Sequence, residues 1–204
     1  MLDPLLRRFL APTLDRAGGG LAALGIGADA LTWTGFALGL GAIPAIATGH
    51  YLTGLALFLG NRLFDGLDGA VARRRSASDL GGYLDIVCDF IVYAGFVAAF
   101  ALARPDNALP AAILLFGFMG TGSTFLAFAI FAAKRGLATT RRGPKALYYL
   151  GGLTEGTETI LFFAAFCLFP ATFPVLALVF AALCLLTTLS RMASAIRMLA
   201  DRPG

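Results

Sequence analysis

Apolar runs of about 20 residues, the length of a membrane-crossing helix, alternate with short polar breaks along most of this chain. The first stretch differs. Over residues 2–17, Leu2, Leu5, Leu6, Phe9, Leu10 and Leu14 share one helical face, while Asp3, Arg7, Arg8 and Arg16 fall elsewhere. That pattern predicts an amphipathic helix lying in a membrane interface, ended by Gly18-Gly19-Gly20. Six apolar spans follow. The first runs from about Leu31 to Thr48. The second runs from Leu52 into the polar residues Asp65–Asp68 and reaches one surface near Arg73. The third is Gly82 to Ala103, closed by the turn Arg104-Pro105-Asp106-Asn107. The fourth is Leu109 to Ala133 and the fifth Leu147 to Phe169. The last begins after Phe169-Pro170-Ala171-Thr172 and ends near Arg197. The expectation is an all-α membrane protein with one domain over residues 1–204. Six transmembrane helices form a bundle within residues 31–198, preceded by the interfacial helix.

Composition excludes an ordinary soluble domain. The chain is 58% hydrophobic and 14% charged, with a mean hydropathy of +0.81; soluble domains run at about 45–50% and 25%. The net charge of +4 then suits anionic lipid on one membrane side rather than nucleic acid. Cys88, Cys167 and Cys184 lie in apolar segments with no CxxC pair, so neither disulfides nor zinc are expected. The N-terminus has no uninterrupted apolar core, so no cleavable signal peptide is expected. Cations collect before span 1, between spans 2 and 3, between spans 4 and 5, and after span 6, against Arg104 alone on the other side. The positive-inside rule makes the crowded side cytoplasmic. Both termini and the ends of spans 2 and 3 lie on that side, as in a multi-pass protein of a bacterial-type inner membrane.

Chemistry concentrates between spans 2 and 3. Asp65 and Asp68 are three apart, Asp85 and Asp89 four apart, and each spacing puts both side chains on one helical face. Arg73, Arg74 and Arg75 lie between the pairs, followed by a polar turn with Gly81 and Gly82. A helical hairpin would point all four carboxylates into one cleft with arginines at its mouth. An unpaired aspartate inside a membrane costs roughly 3 kcal/mol, so four in one hairpin call for a cation. Carboxylate oxygens suit Mg²⁺ or Mn²⁺. Two such ions would balance four carboxylates, bind a diphosphate, and leave one oxygen to accept a proton, which is the logic of phosphoryl transfer.

These residues resemble the CDP-alcohol phosphotransferase (phosphatidyltransferase) family, whose signature is D-x2-D-G-x2-A-R-x8-G-x3-D-x3-D. Here it reads Asp65, Asp68, Gly69, Ala72, Arg73, Gly81, Asp85 and Asp89, with seven residues rather than eight between Arg73 and Gly81. The resemblance extends over the chain, since six spans behind an interfacial helix is also the family pattern. It implies displacement of CMP from CDP-diacylglycerol, or another CDP-linked alcohol, by the hydroxyl of a water-soluble alcohol. It makes Asp65, Asp68 and Asp85 metal ligands, and Asp89 the general base with a further contact to metal. Gly69 and Arg73 face the CDP moiety, together with Asp65 and Gly81. Asp29 and Thr32, at the start of span 1, either cap that helix or join this nucleotide-facing set. Family members often dimerise through membrane helices, which suggests a homodimer.

The acceptor is read from elsewhere. Lys134, Arg135, Arg141, Arg142 and Lys145 form a basic loop. It offers a site for the phosphate of glycerol 3-phosphate or an inositol phosphate, or simply obeys the positive-inside rule. Glu155 and Glu158 in GGLTEGTET are three apart on span 5. They line the cavity toward polyol hydroxyls or an amino alcohol, or pair with Arg62 or Arg191. Two other functions compete. A transporter also uses intramembrane carboxylates, but spreads them along a route and often repeats its halves; here they are bunched and no repeat is visible. An inactive lipid-binding relative would not need the intact aspartate set.

Overall fold

A computed structural model describes residues 3–75, 78–136 and 154–200. Among them the regular structure is helical: α1 (Asp3–Ala23), α2 (Ala28–Ala47), α3 (Tyr51–Arg75), α4 (Asp79–Ala103), α5 (Ala108–Lys134), α6 (Gly156–Leu168) and α7 (Phe173–Ala200), with 3-10 turns at Pro105–Asn107 and Pro170–Thr172. Four helices, α2, α4, α5 and α7, are long and apolar enough to cross a membrane. The other two expected spans differ for separate reasons. α3 has 25 residues, but its second half carries the charged motif. α6 is apolar but only 13 residues long; the start of the expected fifth span, residues 147–153, lies outside the described residues.

Glycines set the helix spacing. α2 and α3 run antiparallel, Thr32 meeting Asp68 near one end and Ile46 covering Gly54 near the other. Gly39 lets α2 approach α4: a Cβ built there would stand 2.5 Å from Val92. Gly122 on α5 makes the same room for Phe90 on α4. Small residues at such seams allow the backbone contact that drives association in lipid. α5 and α7 run in the same direction, with Gly117 against Cys184 near their middles. Arg135 closes that pair by donating to the carbonyls of Met198 and Leu199 at 3.3 and 2.8 Å. A column of phenylalanines ties the helices together: Phe96 stacks on Phe163 at 4.3 Å between centroids, and Phe100 on Phe173 at 4.5 Å. All four of these rings are fully buried.

The expected stop at Gly18-Gly19-Gly20 is not there, because α1 runs through it to Ala23. Gly18 sits on α3, and a Cβ built on it would stand 2.6 Å from the Ala70 Cβ. Leu14, one turn earlier, covers Gly66. Close packing thus offsets the roughly 1 kcal/mol that a glycine costs inside a helix. The helix ends instead around Gly25 (φ +87°), with the Ile26 N–H bonded to the Leu21 carbonyl at 3.1 Å. This is a left-handed glycine cap. Gly18→Val is expected to push α1 off α3 and cost about 1–3 kcal/mol, the range for overpacking, read as a lower Tm in detergent. Gly20, with nothing within 4 Å of a built Cβ, is the control for Gly→Val at an open site. Equal Tm for the two variants would mean that α1 is not seated on α3.

Candidate metal centre and active site

Three helices build the site. α3 presents Asp65 and Asp68 on one face, and α4 presents Asp85 and Asp89 across from them. The start of α2 adds Thr32 and the backbone at Gly35. These residues, with Phe36, Asn61 and Cys88, line one small pocket. Single oxygens of Asp65, Asp68 and Asp85 all lie within 4.8 Å of one another. Asp68 is buried, Asp65 half-buried and Asp85 exposed, so the cluster opens outward on its Asp85 side. Three hard anionic oxygens this close match the donor chemistry of Mg²⁺ or Mn²⁺.

Asp89 shares the pocket but has a different partner. Arg62 Nη2 donates to its Oδ1 at 2.5 Å and Nη1 to its Oδ2 at 3.1 Å. The same guanidinium stands 3.6 Å from Asp65 Oδ2. In the sequence Arg62 stands out only as a partner for Glu155 or Glu158. A signal was available: Arg62 is three residues before Asp65, hence on the same face of α3. Folding the hairpin about its turn brings that position close to Asp89. Asn61 adds order from the neighbouring position. It donates through Nδ2 to the Gly35 carbonyl at 3.0 Å and accepts Arg62 Nε on Oδ1 at 2.8 Å.

The rim residues fall as follows. Thr32 and Asp29 do not cap α2, whose N-cap is Gly27. Thr32 Oγ1 instead donates to Asp68 Oδ2 at 2.6 Å, and Asp29 Oδ1 lies 3.8 Å from a Cβ built on Gly81. The expected turn at Gly81 and Gly82 is already helix. α4 begins at Asp79 behind an N-cap Ser78, whose Oγ accepts from Gly81 N at 3.0 Å. Gly69 is on α3 one turn before Arg73. The Arg73 side chain is exposed and reaches Asp15 of α1 at 2.9 Å, and Arg74 donates to the Asp15 carbonyl at 2.9 Å. α1 therefore flanks the motif arginines, a contact the motif itself does not announce.

The acceptor candidates separate. Lys134 ends α5, exposed, and Arg135 is engaged with the end of α7. Arg141, Arg142 and Lys145 lie outside the described residues. Glu155 and Glu158, expected on span 5, stand at the start of α6. Glu155 is its N-cap, and its side chain accepts from the N3 backbone, while Glu158 Oε2 accepts from Glu155 N at 3.1 Å. This reciprocal capping satisfies two helix-end donors that would otherwise be orphaned in an apolar setting. Arg62, one of their two candidate arginine partners, is held on Asp89. Thr154 continues the polar patch, its hydroxyl 3.0 Å from that of Thr187 on α7.

Comparison with known proteins adds lineage to this geometry. The Escherichia coli (strain K12) inner membrane protein YnjF is 52% identical over 192 residues, covering 94% of this chain and 93% of that protein. Archaetidylinositol phosphate synthase of Methanothermobacter thermautotrophicus is 40% identical over 87 residues, 42% of this chain and 41% of that one. In fold, the chain resembles the crystal structure of Mycobacterium tuberculosis phosphatidylinositol phosphate synthase (PgsA1) with CDP-DAG bound. The TM-score is 0.73 at 21% identity, covering 94% of this chain and 98% of that one. The same synthase in complex with manganese and citrate gives 0.71 at 22% identity, covering 94% and 93%. The sequence profile described as CDP-alcohol phosphatidyltransferase matches residues 26–196, a stretch that includes α2 to α6 and nearly all of α7 with every motif aspartate. The chain is therefore a membrane-bound transferase belonging to the CDP-alcohol phosphatidyltransferase family.

Proposed function

We propose that this protein is a divalent-metal-dependent phosphatidyltransferase that moves a phosphatidyl group from CDP-diacylglycerol to the hydroxyl of a small water-soluble alcohol, releasing CMP. The observation that carries the reading is the convergence of Asp65, Asp68 and Asp85 beside Asp89. Asp65, Asp68 and Asp85 would hold Mg²⁺ or Mn²⁺, which when bound supplies positive charge for the diphosphate oxygens. Asp89 takes the proton from the acceptor hydroxyl as its oxygen bonds to the lipid phosphorus. CMP leaves with the electron pair of the broken P–O bond. Arg73, with Gly69, Gly81, Asp29 and Thr32, faces the nucleotide. The contact of Arg73 with exposed Asp15 is worth little in water, so exchanging that carboxylate for a donor phosphate is cheap.

A polyol phosphate is the favoured acceptor class. Supporting it are the inositol phosphate product in the name of the archaeal relative and the basic residues Lys134, Arg135, Arg141, Arg142 and Lys145. Engagement of Glu155 and Glu158 in helix capping argues against their attracting a cationic amino alcohol. The reading includes six membrane crossings by α2 to α7, α1 at the interface, and a site open to the cytoplasm. Support comes from Arg73, Arg74, Lys134, Arg135 and Arg197, all near the C-terminal ends of α3, α5 and α7. Purified protein incubated with CDP-diacylglycerol, Mn²⁺ and glycerol 3-phosphate, inositol phosphate, serine or choline is expected to release CMP and form a new anionic lipid with a polyol phosphate. Mass spectrometry reads the product. No CMP with any of the four would reject the proposal.

A further inference from the structure

Arg62 is a buried cation that the metal reading does not use. Its side chain is 9% exposed. Two nitrogens hold both oxygens of Asp89, at 2.5 and 3.1 Å, and Nη1 also donates to the Tyr93 hydroxyl at 3.1 Å. Nε is satisfied by Asn61 Oδ1 at 2.8 Å. The guanidinium carbon lies 4.9 Å from the Tyr93 ring centroid and 5.7 Å from that of Phe58. Planar two-pronged pairing together with ring contacts fixes an arginine far more tightly than a lysine. The guanidinium also stands 3.6 Å from Asp65 Oδ2, so it bridges one member of the three-aspartate cluster and the aspartate outside it.

We propose that Arg62 is a positioning residue that fills a second cation place between Asp65 and Asp89, so that the substrate-free protein binds a single divalent ion tightly. The inference rests on the metal reading above. Four carboxylates by themselves would call for two dications, but one guanidinium already neutralises part of that charge and engages both oxygens of Asp89. A second ion must displace a cation held by four hydrogen bonds and two ring contacts, and it is repelled until it does.

The test is Mn²⁺ binding by purified protein without CDP-lipid, followed by the EPR signal of free Mn²⁺. The wild type is expected to bind one ion tightly, with any second ion about a hundredfold weaker. Arg62→Gln, which removes the charge, is expected to strengthen the second site by about ten- to a hundredfold. Arg62→Lys keeps the charge and is expected to keep a single tight site. Two equally tight sites in the wild type would overturn the inference and leave the metal reading standing, and this arm needs no variant to fold. An unchanged second site in Arg62→Gln with wild-type Tm would overturn it too. Failure of the wild type to bind Mn²⁺ at all would instead reject the metal reading, and the inference with it.

Discussion

Asp89→Asn is expected to lower CMP release by about 10²–10⁴-fold, the contribution of a positioned general base, while Mn²⁺ stays bound. Asparagine keeps the shape and an oxygen that still accepts from Arg62, but it cannot take up the acceptor's proton. A competing effect must be weighed. Removing one member of a buried ion pair typically costs about 3–5 kcal/mol, and here Arg62 would lose its two-pronged partner. Arg62 retains Asp65 at 3.6 Å, the Tyr93 hydroxyl at 3.1 Å and Asn61 at 2.8 Å, so the loss should fall short of that range. The two effects part cleanly in measurement. Lost folding removes Mn²⁺ binding together with activity. A lost base leaves Mn²⁺ affinity and the KM for CDP-diacylglycerol near wild type while kcat falls. Normal turnover in the variant would end the assignment of Asp89 as base.

Asp68→Asn should fail in the opposite way. Asp68 is 7% exposed, belongs to the three-aspartate cluster, and accepts a 2.6 Å hydrogen bond from Thr32. Changes one shell away from a metal typically cost about 10–100-fold in affinity, and replacing a charged ligand by a neutral amide should cost at least as much. The expected result is Mn²⁺ affinity down by about a hundredfold or more, with CMP release falling in step. Raising Mn²⁺ should recover part of that activity, and it should recover none in Asp89→Asn. Unchanged Mn²⁺ affinity would remove Asp68 from the ligand set. The contrast matters because both residues are carboxylates of one motif in one pocket, and their partners differ.

Those partners show where local pattern stops being informative. Thr32 and Asp68 are 36 residues apart in the chain, and Arg62 and Asp89 are 27 apart. Helical spacing says which residues share a face, but not which foreign side chain that face will meet. The charge count over four aspartates, which suggests two metal ions, does not include Arg62, whose place beside Asp89 depends on how α3 and α4 align. Gly18–Gly20 has the same ambiguity: a glycine run ends a helix exposed to water, yet it lets a helix continue where another backbone presses on it. For Glu155 and Glu158 the apolar stretch around them leaves cavity lining and an arginine pair both open. The fold adds that they sit where α6 starts, at its first backbone donors.

By itself the amino-acid order determined the membrane setting, the helical class and the aspartate hairpin. Each follows from local quantities: apolar run length, residue periodicity, and carboxylates three and four apart. Only the tertiary structure decided that Asp65, Asp68 and Asp85 form one cluster while Asp89 is held by Arg62. It alone seated α1 on α3 and tied Arg73 to Asp15. The physical reason is common to all of these. A buried charge or a bare glycine takes its role from the group placed opposite it, and that group comes from a distant part of the chain, brought there by the packing of the helices.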